Sequence, residues 1–212
     1  MLSTTARTTV RRGAKRARTD RADLYAVLDA GLVCHLGVLV DGSPRVIPTA
    51  YGRLGDTLYV HGSTGAASLR AALGHPVCVT VTHLDGLVLA RSAFHHSVNY
   101  RSAMAYGLAR IVEDDAERLD GLRAIVEQLT PGQWEAVRAP HRKELAKTAV
   151  LALPLDEASV KVRQGPPVDD EEDYDLPIWA GVLPLTMAWG APEPDPRLSP
   201  GISVPDHIGH RG

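Results

Sequence analysis

Between positions 90 and 107 the chain reads ARSAFHHSVNYRSAMAYG. Adjacent histidines (His95, His96), several serines, Asn99, two tyrosines and two arginines sit among small apolar residues. That mixture suits a strand that closes a core with some side chains and offers hydrogen bonds with others. Alternation sends Asn99, Arg101 and Ala103 to one face and Tyr100, Ser102 and Met104 to the other. His95 and His96 diverge for the same reason, so a metal held by both is not expected, and the i, i+4 histidine pair of zinc proteases is absent. Arg101, in an Asn-Tyr-Arg-Ser setting, can clamp a phosphate with two parallel hydrogen bonds. The tyrosines offer a flat face and a hydroxyl to an aromatic heterocycle.

Two further stretches carry chemistry. HGSTG, positions 61–65, stands before a helix-forming run. Backbone N–H groups at a helix start, with glycines that allow close approach, can seat an anion. Ser63 and Thr64 add hydroxyls, and Ser68 and Arg70 follow one turn in. The same residues also read as plain helix capping, worth about 1 kcal/mol without any ligand. RVIPTAY, positions 45–51, offers backbone donors and acceptors beside a ring, with Arg45 as a further cation. Together the three stretches suit a flat, phosphorylated cofactor. His61 or His95 could hand a proton to a reduced substrate, since an unperturbed histidine titrates near pH ~6.5. Each also reads as a packing or hydrogen-bonding residue, and no catalytic residue is assigned.

Strands must position these groups. RADLYAVLDAG predicts a short helix with Leu24, Val27 and Leu28 on one face and Gly31 as its stop. LVCHLGVLV predicts a strand that turns at Asp41-Gly42 into RVIPTAYG. Pro48 there implies an edge, a bulge or a ligand-facing break in the ladder. Gly55-Asp56 turns the chain into TLYVHG, and a helix over 66–73 follows, stopped by Gly74 and Pro76. PVCVTVTH and GLVLARSAF read as two strands divided by Asp85-Gly86. NYRSAMAYGLARIV reads as a long strand giving way near Glu113 to a helix with Leu119, Leu122, Ile125, Val126 and Leu129 on one face. One short helix over 133–146 and the strands AKTAVLALPL and ASVKVRQG complete the body. The sum is an α+β architecture, an antiparallel closed or nearly closed sheet of six to seven strands with peripheral helices. Its expected parts are a basic arm (1–21), the body (22–165), an acidic and apolar wrap (166–191) and a tail without a core of its own (192–212).

With 44% apolar residues over 212 positions, one substantial core is within reach. The longest apolar runs are too short to cross a bilayer as helices. The start lacks the apolar centre of a secretory signal, so a cytoplasmic protein is expected, with a mitochondrial-type presequence as the rival. A net charge of −2 gives no global pull toward nucleic acid. Residues 7–21 still hold seven Arg and Lys against Asp20 alone, while PPVDDEEDYD is acidic. The arm lacks interleaved aromatics, so it reads as solvated or as packing on the body or a partner. Cys34 and Cys78 lie in Val/Leu-rich runs and read as buried thiols.

The segments RVIPTAYGRLGDTLYVHGSTGAASLRAAL and VTVTHLDGLVLARSAFHHSVNYRSAMAYGLARIV resemble the flavin-nucleotide-binding branch of the pyridoxamine 5′-phosphate oxidase-like proteins, which includes relatives of the nitroimidazole-resistance reductases. The similarity spans roughly residues 10–190. It implies an FMN-binding split β-barrel, usually a homodimer, with the cofactor between subunits. Pro48, Thr49, Ala50 and Tyr51 would line the isoalloxazine ring. Tyr59, His61, Gly62 and Ser63 would follow the ribityl chain toward the phosphate. Ser92 with Asn99, Tyr100, Arg101 and Ser102 would complete the pocket. Many members carry a lysine in the helix after the glycine turn. Here Ser68 and then Arg70 stand there, which leaves room for the deazaflavin F420 or haem as alternative ligands. The resemblance implies an FMN-dependent oxidoreductase, with a non-catalytic binder or sensor of FMN, F420 or haem as the alternative.

Overall fold

A two-residue turn sets the register of the sheet. In the computed structural model, which describes residues 1–209, Asp41 (φ 50°) and Gly42 (φ 74°) are both left-handed, the geometry whose twist suits a tight hairpin. In chain order the strands are β1 (Ala17–Arg18), β2 (Val33–Val40), β3 (Ser43–Leu54), β4 (Thr57–Ser63), β5 (Pro76–Leu89), β6 (Ser97–Leu108), β7 (Arg110–Ile111), β8 (Thr148–Pro154), β9 (Glu157–Arg163) and β10 (Gly181–Pro184). The helices are α1 (Arg21–Asp29), α2 (Ala67–Ala72), α3 (Asp115–Leu129), α4 (Gln133–Ala136), α5 (Arg142–Leu145) and α6 (Asp206–Gly209). Every strand pair is antiparallel, in the order β1-β9-β6-β5-β2-β3-β4-β8-β7, with β10 added to the far part of β5.

The α+β class is as the sequence implies, but the sheet has ten strands where six to seven were expected. Seven strands of seven residues or more carry it. The remaining three are only two to four residues long, too short to leave a pattern in the sequence. PVCVTVTH and GLVLARSAF are not two strands. They form the single strand β5, and Asp85 is an unpaired residue in a register shift between Leu84 and Gly86. The one helix expected over 133–146 is two single turns, α4 and α5.

Alternation fills the core. Cys34, Leu36, Val38 and Val40 of β2 and Val77, Val79 and Val81 of β5 point inward against Leu24, Val27 and Leu28 of α1. Each such aliphatic side chain contributes about 1.5–3 kcal/mol on full burial. A second, smaller cluster joins Tyr59, Val112, Ile125, Val150 and Ala152, with α3 as its lid. The helix lies hard on β3. A Cβ at Gly52 would stand 2.3 Å from the Ala124 carbonyl carbon, so only glycine permits this approach. The basic arm packs on the body. Leu2 and Thr8 are buried, and the Leu2 amide donates to the Thr19 carbonyl at 2.6 Å. Arg7 and Thr5 both bind the Glu157 carboxylate.

Candidate functional site

The geometry begins with a strand that changes partners. Residues 43–50 of β3 pair with β2, and residues 51–54 pair with β4. β4 then continues alone alongside β8 through His61, Gly62 and Ser63. The register places His61 opposite Ala50, one position past the last β3–β4 pair. The two strands therefore part at Ala50 and His61 and leave a notch between them. Pro48, Thr49 and Ala50 lie along one side, and His61, Gly62 and Ser63 along the other.

The notch exposes backbone. Counting from the two-residue turn, Val40 and Ser43 exchange ladder bonds, so alternate residues of β3 face away from β2. Pro44, Val46, Pro48 and Ala50 fall on the outward positions. Pro48 thus occupies an open edge, the first of the alternatives its presence implied. The amides of Val46 and Ala50 and the carbonyl of Pro48 point into the open side. Arg45 and Pro48 are exposed, and Thr49 and Ala50 are half-buried. At the far end Ser63 Oγ accepts the Gly65 amide at 3.2 Å, which closes the polar turn before α2. A Cβ on Gly62 would lie 2.7 Å from Leu69 Cδ1, so the Leu69 side chain packs directly on this glycine. Ser68 is half-buried and Arg70 exposed on α2.

Two tyrosines have partners inside the protein. Tyr51 is wholly buried, and its hydroxyl donates to the Leu28 carbonyl at the end of α1. Burial pushes its phenol well above the usual range. Tyr59 is buried beneath α3 and donates to Glu117 Oε1 at 3.0 Å. Burial, then the Glu117 bond, raises its phenol.

The HHSVNYRS segment lies elsewhere in the sheet. β6 is separated from β4 by β5, β2 and β3. Ser92 Oγ accepts the Phe94 amide at 3.3 Å and caps a short 3₁₀ turn over Ala93–His95. The Ser92 carbonyl accepts from His96 Nδ1 at 3.0 Å, and Nε2 makes no hydrogen bond among the described residues. His95 Nε2 meets Asp170 at 3.2 Å. Phe94, the chain's single phenylalanine, is 89% exposed at the tip of this braced turn. Asn99 is buried. Its amide donates to the Gly165 carbonyl at 3.2 Å, and its oxygen accepts from Arg163 at 2.5 Å. Tyr100 is half-buried, and Ser102 Oγ reaches the Lys161 carbonyl at 3.5 Å.

Arg101 is engaged by Asp85, whose hydrogen bonds hold the guanidinium above its usual range. The pair borders a cleft of about 420 Å³ whose walls include His83, Leu185 and Met187. Asp85 escaped the sequence reading because Asp-Gly is the ordinary signature of a turn. The opposite charge on the neighbouring strand was the available clue. The chain thus gathers its candidate residues into two groups, the β3–β4 notch and the β5–β6 face. No helix is long and apolar enough to cross a membrane among the described residues.

The family model of pyridoxamine 5′-phosphate oxidase matches residues 20–162. Flavocytochrome Anf3 from Azotobacter vinelandii is similar at 45% identity and a TM-score of 0.92, covering 96% of this chain and 95% of that one. The FAD and heme binding protein from Mycobacterium smegmatis is similar at 41% identity and a TM-score of 0.87, covering 91% of this chain and 95% of that one. No curated protein matches the chain. A family match over most of the body, together with these two chain-long likenesses, decides the matter: the chain belongs to the pyridoxamine 5′-phosphate oxidase-like family of flavin-binding split barrels.

Proposed function

We propose that this chain is a redox protein that binds a flavin and a haem together. The observation that carries the reading is its likeness, along nearly the whole chain, to one protein named a flavocytochrome and another named for FAD and haem. The second of these names gives FAD where the sequence implies FMN, and FAD is the flavin of this reading. Both flavins share the ring and the first phosphate, so the demands on the notch are the same.

The residues present fit a flavin. The open edge of β3 offers the Val46 and Ala50 amides and the Pro48 carbonyl, which can read the polar rim of a flat ring. Exposed Arg45 and Arg70 supply charge for phosphate. For haem, His96 would be the residue to hold the iron, since one ring nitrogen donates to a carbonyl and the other makes no hydrogen bond among the described residues. His61, at the mouth of the notch, is the second candidate. Bound flavin and haem supply the electron chemistry, and the protein positions them and tunes their electronics.

The protein acts as a homodimer and completes its site between subunits. Phe94 (89% exposed), Met187 (74%), Trp179 (69%) and Val46 (67%) favour this, because so much bare apolar surface is costly in a lone chain. The free thiols of Cys34 and Cys78 fit a reducing compartment such as the cytoplasm.

The test is absorbance and mass spectrometry of the purified protein after reconstitution with FAD and haemin. Flavin bands and a Soret band are expected together. His96→Ala or His61→Ala should remove the Soret band and keep the flavin. Flavin uptake without a Soret band would sink the haem half, and failure to take up any flavin would sink the whole reading.

A further inference from the structure

We propose that the cleft beneath the basic arm is a binding site for a small polyphosphorylated molecule, distinct from the flavin notch. The arm does not wave in solvent. It is folded on itself by the Leu2–Thr19 backbone bond and tied to the body by Ser3 on the Asp156 carbonyl at 2.5 Å and by Arg7 on Glu157. Held this way, it roofs a cleft of about 290 Å³ over the outer face of β6 and β9.

The chemistry of that cleft is one-sided. Arg11, Arg12 and Lys161 line it, with hydroxyls from Ser102, Ser159 and Tyr106. Arg7 also lines it, but Glu157 neutralises that charge. Cations continue past the rim. A Cβ built on Gly13 would lie 3.6 Å from Arg16 Cδ and 3.7 Å from Lys161 Nζ, so these two side chains crowd the same glycine. Arg163 stands two residues along β9. Burial, and then repulsion from Arg16, holds its guanidinium below the usual range. Arg11, Arg12, Arg16, Lys161 and Arg163 form no ion pair among the described residues.

Crowding like charges on an ordered scaffold costs stability unless an anion offsets it. Guanidinium forks, an ammonium and hydroxyls around one concavity match phosphate oxygens. Three unneutralised cations on the lining exceed the demand of one phosphate monoester, which points to at least two linked phosphates. The concave shape and the Tyr106 and Met104 walls favour a small molecule over an extended polymer.

The experiment titrates inorganic pyrophosphate, and separately ADP, into the full chain carrying its flavin, followed by calorimetry at low and high salt. Saturable binding at one site per chain is expected, weakening as salt rises. Lys161→Gln and Arg12→Gln should each weaken it about tenfold, a loss of the size expected for one charge-assisted hydrogen bond. Arg12 is exposed on the arm, so its replacement leaves the core untouched. Lys143→Gln, an exposed lysine on α5, should change nothing. Tighter binding of ADP than pyrophosphate identifies a nucleotide as the ligand class, and equal binding identifies the phosphates alone. The proposal is overturned by absence of saturable binding at low salt, by equal weakening from Lys143→Gln, or by flavin release as pyrophosphate binds, which would make the cleft part of the flavin site.

Discussion

Arg101 grips Asp85 across the register shift of β5, with Nε 3.0 Å from Oδ2 and Nη2 2.9 Å from Oδ1. The shift frees Asp85 from the ladder and aims its carboxylate at the neighbouring strand. Both side chains are about a third exposed or less, so solvent screens the pair only in part. Asp85→Ala should lower the unfolding free energy by about 0.5–1 kcal/mol, the range of solvent-accessible pairs. Urea denaturation of the two single variants and the double variant measures the coupling. A coupling near zero would mean that the contact holds nothing.

Gly52→Ala is expected to be far more damaging. The added methyl would meet the backbone of α3 at Ala124 and Ile125, where no flexible side chain can give way. Overpacking of this kind costs about 1–3 kcal/mol or more. Thermal unfolding should show a clear drop in Tm, and an unchanged Tm would mean that α3 does not rest on β3 as described.

The Leu28 carbonyl accepts from two side chains as well as from the Gly31 amide at 3.1 Å. Tyr51 Oη and Gln128 Nε2 both donate to Leu28 O, the amide at 3.1 Å. Tyr51→Phe alone should cost about 0.5–1.5 kcal/mol, because Gln128 still satisfies the acceptor. Combined with Gln128→Ala, the losses should add to within about 0.5 kcal/mol, because the Gly31 amide at 3.1 Å still satisfies the carbonyl. Chemical denaturation showing a loss well beyond the sum would contradict this.

The two thiols should react in order. Burial pushes the Cys34 thiol up to about 12, so almost none is thiolate at pH 8. Cys78 is only half-buried. An aromatic disulfide reagent at pH 8 should modify one thiol readily in the folded protein and the second only after unfolding. Peptide mapping that finds Cys34 modified first would contradict this.

Glu144 provides a pH signature. The Arg138 hydrogen bonds, then the His141 amide, hold its carboxyl down to about 2 from an ordinary 4.5. A depressed carboxyl stabilises the fold above its ordinary value and loses that contribution as pH falls toward 2. The α5 capping box should therefore persist at pH 4 and fray below about 3. Side-chain carboxyl NMR titration reads this directly, and a midpoint near 4.5 would rule it out.

Much of this was legible in the sequence, for physical reasons that differ by element. The β2–β3 hairpin is written locally, because Asp41-Gly42 admits left-handed backbone and the flanking alternation fixes the faces. Pro48 announced an edge, since it cannot donate to a ladder. The fusion of β5 was not legible, because Asp85-Gly86 has turn chemistry and only its neighbours β6 and β10 hold it straight. Short β1, β7 and β10 exist through pairing alone and have no pattern of their own. At the candidate site, residue types pointed to the notch, but its opening depends on where β3 leaves β4, a property of register. The Asp85 partner of Arg101 and the Leu28 partner of Tyr51 are likewise set by tertiary pairing, which residue types do not encode.

The open half of β3 also carries a hazard, since a bare strand edge invites stray chains to zip on and seed aggregates. Pro44 and Pro48 sit on the outward positions where an invading strand would seek an amide, and Arg45 stands guard between them. The same two prolines thus turn away polypeptide, an inbuilt guard against unwanted strand addition.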